Sequence, residues 1–210
     1  MLGKIQKRMT ARPHDAVLCD IDGVLRHWPP AEELELAYGL PAGSLAAAHF
    51  VPSRLNPAIT GKMTDEQWRS AAANDLAAAC GSADRARAAV KAWSMLEPRI
   101  DPEVVSLLAK ARETVTVALV SDATTRLEQD LARHELSTLA HMVVSSARIG
   151  VAKPDPGFYT IAADNVGAPV DRCLFIDDTP ANVAAARGLG MTAIHYQRPE
   201  DLRAALAPYL

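Results

Sequence analysis

Val17, Leu18 and Cys19 run directly into Asp20, and Asp22 and Gly23 follow within three residues. A short apolar run stopped by charge and glycine is the pattern of a strand buried on both faces in a parallel sheet. Gly23 then permits a sharp turn, because it tolerates backbone angles that other residues avoid. Residues two apart share a face if the extension persists, so Asp20 and Asp22 are expected to leave the strand end together. Ligands of open α/β sheets bind at the carboxyl ends of strands. The plain alternative is a solvated turn in which neither aspartate has chemical work.

The remainder of the chain alternates strand runs with helix signals. Val115–Val120, Met142–Val144, Cys173–Ile176 and Thr192–Tyr196 are short apolar runs, each long enough for a strand and too short for a helix. Asp101-Pro102 and Asp155-Pro156 each pair an N-cap with proline at the first helical position. Val104, Leu107, Leu108 and Ala111 line one helix face, and Leu127 and Leu131 another. A helix over Pro180–Leu189 is stopped by Gly190, and a last one begins at Asp201. Such alternation predicts a parallel sheet with right-handed crossovers.

Between the first strand and Asp101 only helix signals occur. Pro30 opens a helix over Glu32–Tyr38, Ser44 and Ser82 are N-caps, and Thr64-Asp-Glu-Gln67 is a capping box. Trp68 and Trp93 fall at helical spacing and are assigned to packing. An inserted helical subdomain is expected over residues 29–98, with the core built from residues 13–28 and 99–210. Residues 1–12 carry Lys4, Lys7, Arg8 and Arg12 without an apolar signal-peptide core, and read as a flexible tail.

With 210 residues, 49% of them apolar, the chain can bury one core and a small satellite. A formal charge of −3 gives no broad case for nucleic acid or an anionic membrane as partner. No apolar run approaches the roughly 20 residues of a spanning helix. Cys19, Cys80 and Cys173 are scattered and form neither a metal-type pair nor an even disulfide set, which suits a reducing cytoplasm.

Polar residues stand at four strand ends: Asp20 and Asp22; Ser121 and Asp122; Lys153 before Pro154; Asp177 and Asp178. Each has a bland reading alone. Ser121 suits a helix cap, Lys153 a surface lysine, and the Asp177-Asp178 pair a helix start. Asn182 is placed on a helix surface.

Taken in order, the four groups resemble the haloacid dehalogenase superfamily over nearly the whole chain. Asp20-Ile-Asp22-Gly-Val-Leu is similar to its first motif, Ser121 to its second, Val-Ala-Lys153-Pro-Asp-Pro to its third, and Phe-Ile-Asp177-Asp178-Thr-Pro-Ala-Asn to its fourth. A helical insert after the first motif resembles the cap of subfamily I. The Asp177–Met191 stretch resembles the phosphatase domain of soluble epoxide hydrolases and bacterial sugar-phosphate phosphatases.

The resemblance implies an α/β fold, a Rossmann-like doubly wound parallel sheet with an inserted α-helical cap. It also implies a Mg²⁺-dependent phosphatase acting on a small phosphorylated metabolite through an aspartyl phosphate. Asp20 would be the nucleophile and Asp22 the general acid and base. Ser121, Asp22, Gly23, Asp122 and Lys153 form the implied phosphate-binding set. The implied metal set is Asp20, the backbone carbonyl of Asp22, Asp178, and Asp177 through a water. Asp122 is the odd member, because the family commonly has an uncharged residue there. It is expected to cap a helix over Thr124–Arg133 and to face away from phosphate.

Three rivals stand beside that reading. A 2-haloacid dehalogenase uses an aspartate nucleophile but needs neither metal nor the aspartate at the Asp22 position. A phosphomutase needs the same residues, and a silent binding protein could keep the fold alone. Substrate choice is expected from the cap and from the loop at Arg26, His27 and Trp28, with Arg54 and Lys62 as further anion contacts or plain surface charge. Oligomeric state is not readable; a homodimer formed through the cap is one option.

Overall fold

The structure, a computed structural model, describes residues 12–210. Of the expected tail, residues 1–11 lie outside the described residues. Strand β1 (Ala16–Asp20) is followed by a tight turn and the two-residue β2 (Arg26–His27). Five helices come next: α1 (Glu32–Ala37), α2 (Ser44–His49), α3 (Pro52–Ile59), α4 (Asp65–Leu76) and α5 (Ala83–Trp93). The chain returns through β3 (Arg99–Ile100), α6 (Pro102–Arg112), β4 (Thr116–Ser121), α7 (Leu127–Arg133), β5 (Met142–Ser145), α8 (Ser146–Ile149) and α9 (Pro156–Val166). It ends through β6 (Cys173–Asp177), α10 (Pro180–Gly188), β7 (Thr192–His195) and α11 (Pro199–Leu206).

The main sheet has five parallel strands in the order β5-β4-β1-β6-β7. The chain fills one side of β1 first and then the other, so the sheet is doubly wound about its first strand. Its side chains alternate between two cores, as a strand period of two requires. Val17, Cys19, Val117, Leu119, Leu174 and Ile176 pack on one face with α6, α7 and α11. Leu18, Ala118, Val120 and Phe175 pack on the other with α9 and α10. Burial on both faces explains why these strands read as continuous apolar runs.

Most local helix signals form as read, with two corrections. Ser44 is the first residue of α2 and not its cap, its Oγ donating to the Pro41 carbonyl at 2.7 Å. The last helix begins at Pro199, whose fixed φ suits a first helical position, and not at Asp201. Thr64 and Gln67 complete a reciprocal capping box, and Ser82, Asp101 and Asp155 each accept a backbone N–H of the following turn. Four short elements escape the sequence patterns. Strands β2 and β3 pair antiparallel over two residues each, too few to show a period. Helix α3 carries Pro57 in its interior, a residue that argues against a helix when read from sequence. Helix α8 is a single turn.

The inserted helices have their own apolar cluster, built on Leu40, Leu45, Ala72, Leu76, Ala86 and Val90. They are tied to the loop after β4. Thr124 Oγ1 donates to Asp65 Oδ1 at 2.8 Å, and the Asp65 N–H donates to Thr125 Oγ1 at 3.1 Å. Arg126 Nη2 donates to the Ser94 carbonyl at 3.0 Å. No helix of the described residues is long and apolar enough to cross a membrane. Cys19, Cys80 and Cys173 are free and buried.

Candidate active site

Parallel strands bring their carboxyl ends to one edge of the sheet, and the polar residues gather there. Asp20 closes β1, Ser121 closes the adjacent β4, and Asp177 closes β6 on the opposite side of β1. Lys153 reaches the same edge from the loop before α9. Its Nζ lies 2.9 Å from Asp20 Oδ1 and 2.6 Å from Asp177 Oδ2, with all three side chains buried. Burial alone would push the Lys153 ammonium down, but Asp20, Asp177 and Asp122 hold it above the ordinary lysine value. Burial pushes the Asp20 carboxyl up to about 8, Lys153 opposing the rise and Asp177 adding to it.

Asp177 is saturated by its own chain. Oδ1 accepts from the Thr179 N–H at 2.8 Å and from Asn182 Nδ2 at 3.1 Å, while Oδ2 takes Lys153. Asn182 is thus buried against the site and is not a surface residue of its helix. Its backbone carbonyl accepts from the Tyr159 hydroxyl at 2.9 Å. The signal available in the sequence was its place at the third position of α10, from which a polar side chain can reach back toward the helix start.

Asp20, Asp177 and Asp178 each bring a carboxylate oxygen within 4.8 Å of the others. This all-oxygen, acidic donor set is the chemistry a hard dication takes. Gly23 makes room for it: φ is +85°, and a Cβ there would stand 1.9 Å from Asp178 Oδ2. The glycine is needed for close approach as much as for the turn.

Asp22 does not share the outlook of Asp20. The extension ends at once, because the Leu25 and Arg26 N–H groups both return to the Ile21 carbonyl at 2.8 Å. The Asp22 carboxylate is gripped by Arg26 Nε and Nη2 at 2.7 and 2.8 Å and by Trp28 Nε1 at 2.7 Å.

Asp122 corrects the expectation of a helix cap. Helix α7 starts at Leu127, and its N-terminal flanking residue, Arg126, makes no side-chain cap. Asp122 Oδ1 instead accepts the Lys153 N–H at 3.0 Å, joining the loop after β4 to the loop that carries the lysine. Helix α7 begins too far along the chain for Asp122 to reach its first turn. Burial raises the Asp122 carboxyl above its ordinary value, with Lys153 opposing. The same loop is held by Ser146, whose Oγ accepts the Ala123 N–H at 3.0 Å.

A cavity of about 540 Å³ opens between the inserted helices and this edge, with Asp22, Arg26, Trp28 and Asp122 in its wall. Trp68 and Trp93 pack as expected but also line it. Arg54 and Lys62 do not: Arg54 is ion-paired with Asp75, and Lys62 is exposed. His27 is half-buried and is likewise absent from the wall.

Comparison with known proteins agrees with this geometry. Bifunctional epoxide hydrolase 2 of Rattus norvegicus is 27% identical over 206 residues, spanning 89% of this chain and 36% of that protein. Phosphoserine phosphatase of Thermus thermophilus is 31% identical over 137 residues, spanning 60% of this chain and 53% of that protein. The chain spans 13%, 31% and 36% of the first three curated relatives it matches. The fold is shared with a HAD family enzyme of Bacteroides thetaiotaomicron solved in complex with magnesium and inorganic phosphate. That match has a TM-score of 0.70 at 20% identity and covers 88% of this chain and 94% of the other. The family model for haloacid dehalogenase-like hydrolases matches residues 14–190, and the chain belongs to that family.

Proposed function

We propose that the chain is a Mg²⁺-dependent phosphatase that hydrolyses a small phosphorylated metabolite. The observation that carries this reading is Lys153, whose ammonium sits between Asp20 and Asp177 beside the carboxylate trio of Asp20, Asp177 and Asp178. Asp20 and Asp178 would hold the dication, with the backbone carbonyl of Asp22. When bound, Mg²⁺ screens the phosphate dianion from the attacking carboxylate.

The chain's own groups divide the rest. Asp20 attacks phosphorus, the ester bond breaks, and the phosphoryl group passes to the carboxylate. Asp22 gives a proton to the leaving oxygen and later takes one from the water that cleaves the aspartyl phosphate. Lys153 offsets charge on the transferring group, and Ser121 binds one of its oxygens. Asp177 holds Lys153, Asn182 and Thr179 hold it, and it would support the dication through a water and not as a direct ligand. Asp22 must leave Arg26 and Trp28 before it can serve, because a carboxylate accepting three N–H bonds has no proton to give.

Fold alone does not choose between phosphate and haloacid chemistry. Asp22 favours phosphate, since a dehalogenase has no use for an aspartate there. The test is phosphate release from a panel of phosphorylated metabolites with and without Mg²⁺, repeated with Asp20→Asn. Turnover should need Mg²⁺ and should fall by roughly a thousandfold or more in the variant. Halide release from 2-chloropropionate without metal would replace this reading by the dehalogenase one. Dependence on a sugar bisphosphate would replace it by the mutase.

A further inference from the structure

We infer that the cavity selects phosphomonoesters whose leaving group is a flat aromatic ring. This rests on the phosphatase reading and names the substrate class of that same site. The cavity reaches Asp22, the group that would protonate the leaving oxygen, so it lies on the leaving-group side of phosphorus. Its volume of about 540 Å³ is that of a small-molecule site.

The wall presents aromatic rings from several directions. Trp68 and Trp93 meet edge to face at 6.0 Å, and Phe50 lies against both at 6.2 and 6.1 Å. Trp28 and Phe50 stand on the wall with 45% and 50% of their surface in solvent. Two guanidinium groups back three indoles: that of Arg26 lies 4.9 Å from the Trp28 ring, and that of Arg69 lies 5.7 and 5.6 Å from Trp68 and Trp93. Cations on these rings fix the indoles in place, and a flat ring packing against this cluster from the cavity finds the edge-to-face and offset partners that aromatic groups prefer.

Most polar groups of the wall already have protein partners. Trp28 Nε1 goes to Asp22, and Trp68 Nε1 goes to the His49 carbonyl at 2.9 Å. Arg69 is paired with Asp65, and Arg126 with Asp130 at 2.8 Å. Among the described residues, the buried side-chain atoms of this wall left without a partner are Nη1 of Arg26 and of Arg69. A polyol would have to shed its water against walls that offer it few replacements, and unpaired hydroxyls are costly to bury.

All three tryptophans of the chain line the cavity, so their fluorescence reports on it alone. The test titrates the Mg²⁺-loaded protein with three non-hydrolysable phosphonates: methylphosphonate, 2-cyclohexylethylphosphonate and 2-phenylethylphosphonate. Calorimetry gives each Kd, and tryptophan emission excited at the red edge gives occupancy of the cavity. The phenyl compound should bind roughly tenfold tighter than the methyl one and about fivefold tighter than the cyclohexyl one, with a change in emission that methylphosphonate does not give. Trp93→Leu should bring the phenyl-to-cyclohexyl ratio down toward one. Equal binding of all three, or a cyclohexyl compound that matches the phenyl one, overturns the inference and leaves the phosphatase reading standing. An unchanged ratio in a folded Trp93→Leu protein overturns it as well. Failure of every phosphonate to bind, together with no phosphate release from acetyl phosphate, overturns the phosphatase reading and this inference with it.

Discussion

Arg26 grips both carboxylate oxygens of Asp22, yet the partners sit in unlike surroundings: the arginine side chain is 5% exposed and the aspartate side chain 38%. Removing either one therefore has a different consequence. Without Asp22, a buried guanidinium is stranded. Without Arg26, a half-exposed carboxylate turns to water. Asp22→Ala is expected to cost about 3 kcal/mol, and Arg26→Met about 1 kcal/mol or less. Urea unfolding with matched slopes checks the order, and Arg26→Met as the costlier change would show that Asp22 relies on its partner instead. Asp22→Ala is also a poor probe of catalysis, since lost stability and lost chemistry would arrive together; Asp22→Asn keeps an acceptor for Arg26.

Asp122 holds the Lys153 loop through one neutral-tolerant contact, a carboxylate oxygen accepting a backbone N–H. Asp122→Ala should lower stability by about 1 kcal/mol, the worth of a lost hydrogen bond, and should lower kcat because Lys153 is no longer fixed beside Asp20. Asp122→Asn retains the acceptor oxygen and should restore most of both. An asparagine variant as impaired as the alanine variant would assign the role to the charge of Asp122.

What the sequence disclosed and what it hid divide along a physical line. The caps at Thr64, Asp101 and Asp155 are made by residues within a turn of one another, so their geometry is local and legible. The gathering of Asp20, Ser121 and Asp177 is also legible, because a parallel sheet sends every strand end to one edge; Lys153 comes to that edge from the loop between α8 and α9, past the end of β5. Side-chain partners set by a turn or by a distant loop are not. Asp22 turns to Arg26 and Trp28 because the backbone folds back on Ile21 immediately after the strand. Asp122 meets Lys153 across 31 residues of sequence. Trp68 and Trp93 have the spacing of core residues and are core residues; that one side of that core is a cavity depends on how the inserted helices meet the sheet edge.

His49 makes stability depend on pH. It is fully buried, its Nδ1–H donates to the Leu45 carbonyl at 2.7 Å, and its ring stacks on Trp93 at 4.1 Å between centroids. Burial drives its pKa down to about 4. The unfolded imidazole titrates near 6.5, so between these values the unfolded chain binds the extra proton. Stability from this group is whole above pH ~6.5 and is lost as pH falls toward 4, amounting to ~2 to 3 kcal/mol by pH ~4.5. His49→Phe removes the titrating group and should flatten that part of the profile. The check is the difference between wild type and variant in urea unfolding at neutral and mildly acid pH. Parallel profiles would show that His49 gains its proton without cost.

Gly23 and Asp178 give the sharpest test of the proposed metal site. An alanine at position 23 suffers twice: φ is +85°, and its Cβ would stand 1.9 Å from Asp178 Oδ2 and 2.5 Å from Asp178 Cγ. The backbone strain costs about 1–2 kcal/mol for any L-residue other than glycine. The contact is a separate matter, because it drives the Asp178 carboxylate away from Asp20 and Asp177. Gly190 separates the two effects, since its φ is +94° and a Cβ there meets nothing within 4 Å. Gly190→Ala should lose stability and bind Mg²⁺ as wild type does. Gly23→Ala should lose a similar amount of stability and also bind Mg²⁺ roughly tenfold or more weakly, the size of effect seen when a ligand's support is disturbed. Calorimetric titration of the three proteins with Mg²⁺, at a temperature where all are folded, decides the matter. Equal affinity in Gly23→Ala and wild type would remove Asp178 from the metal set.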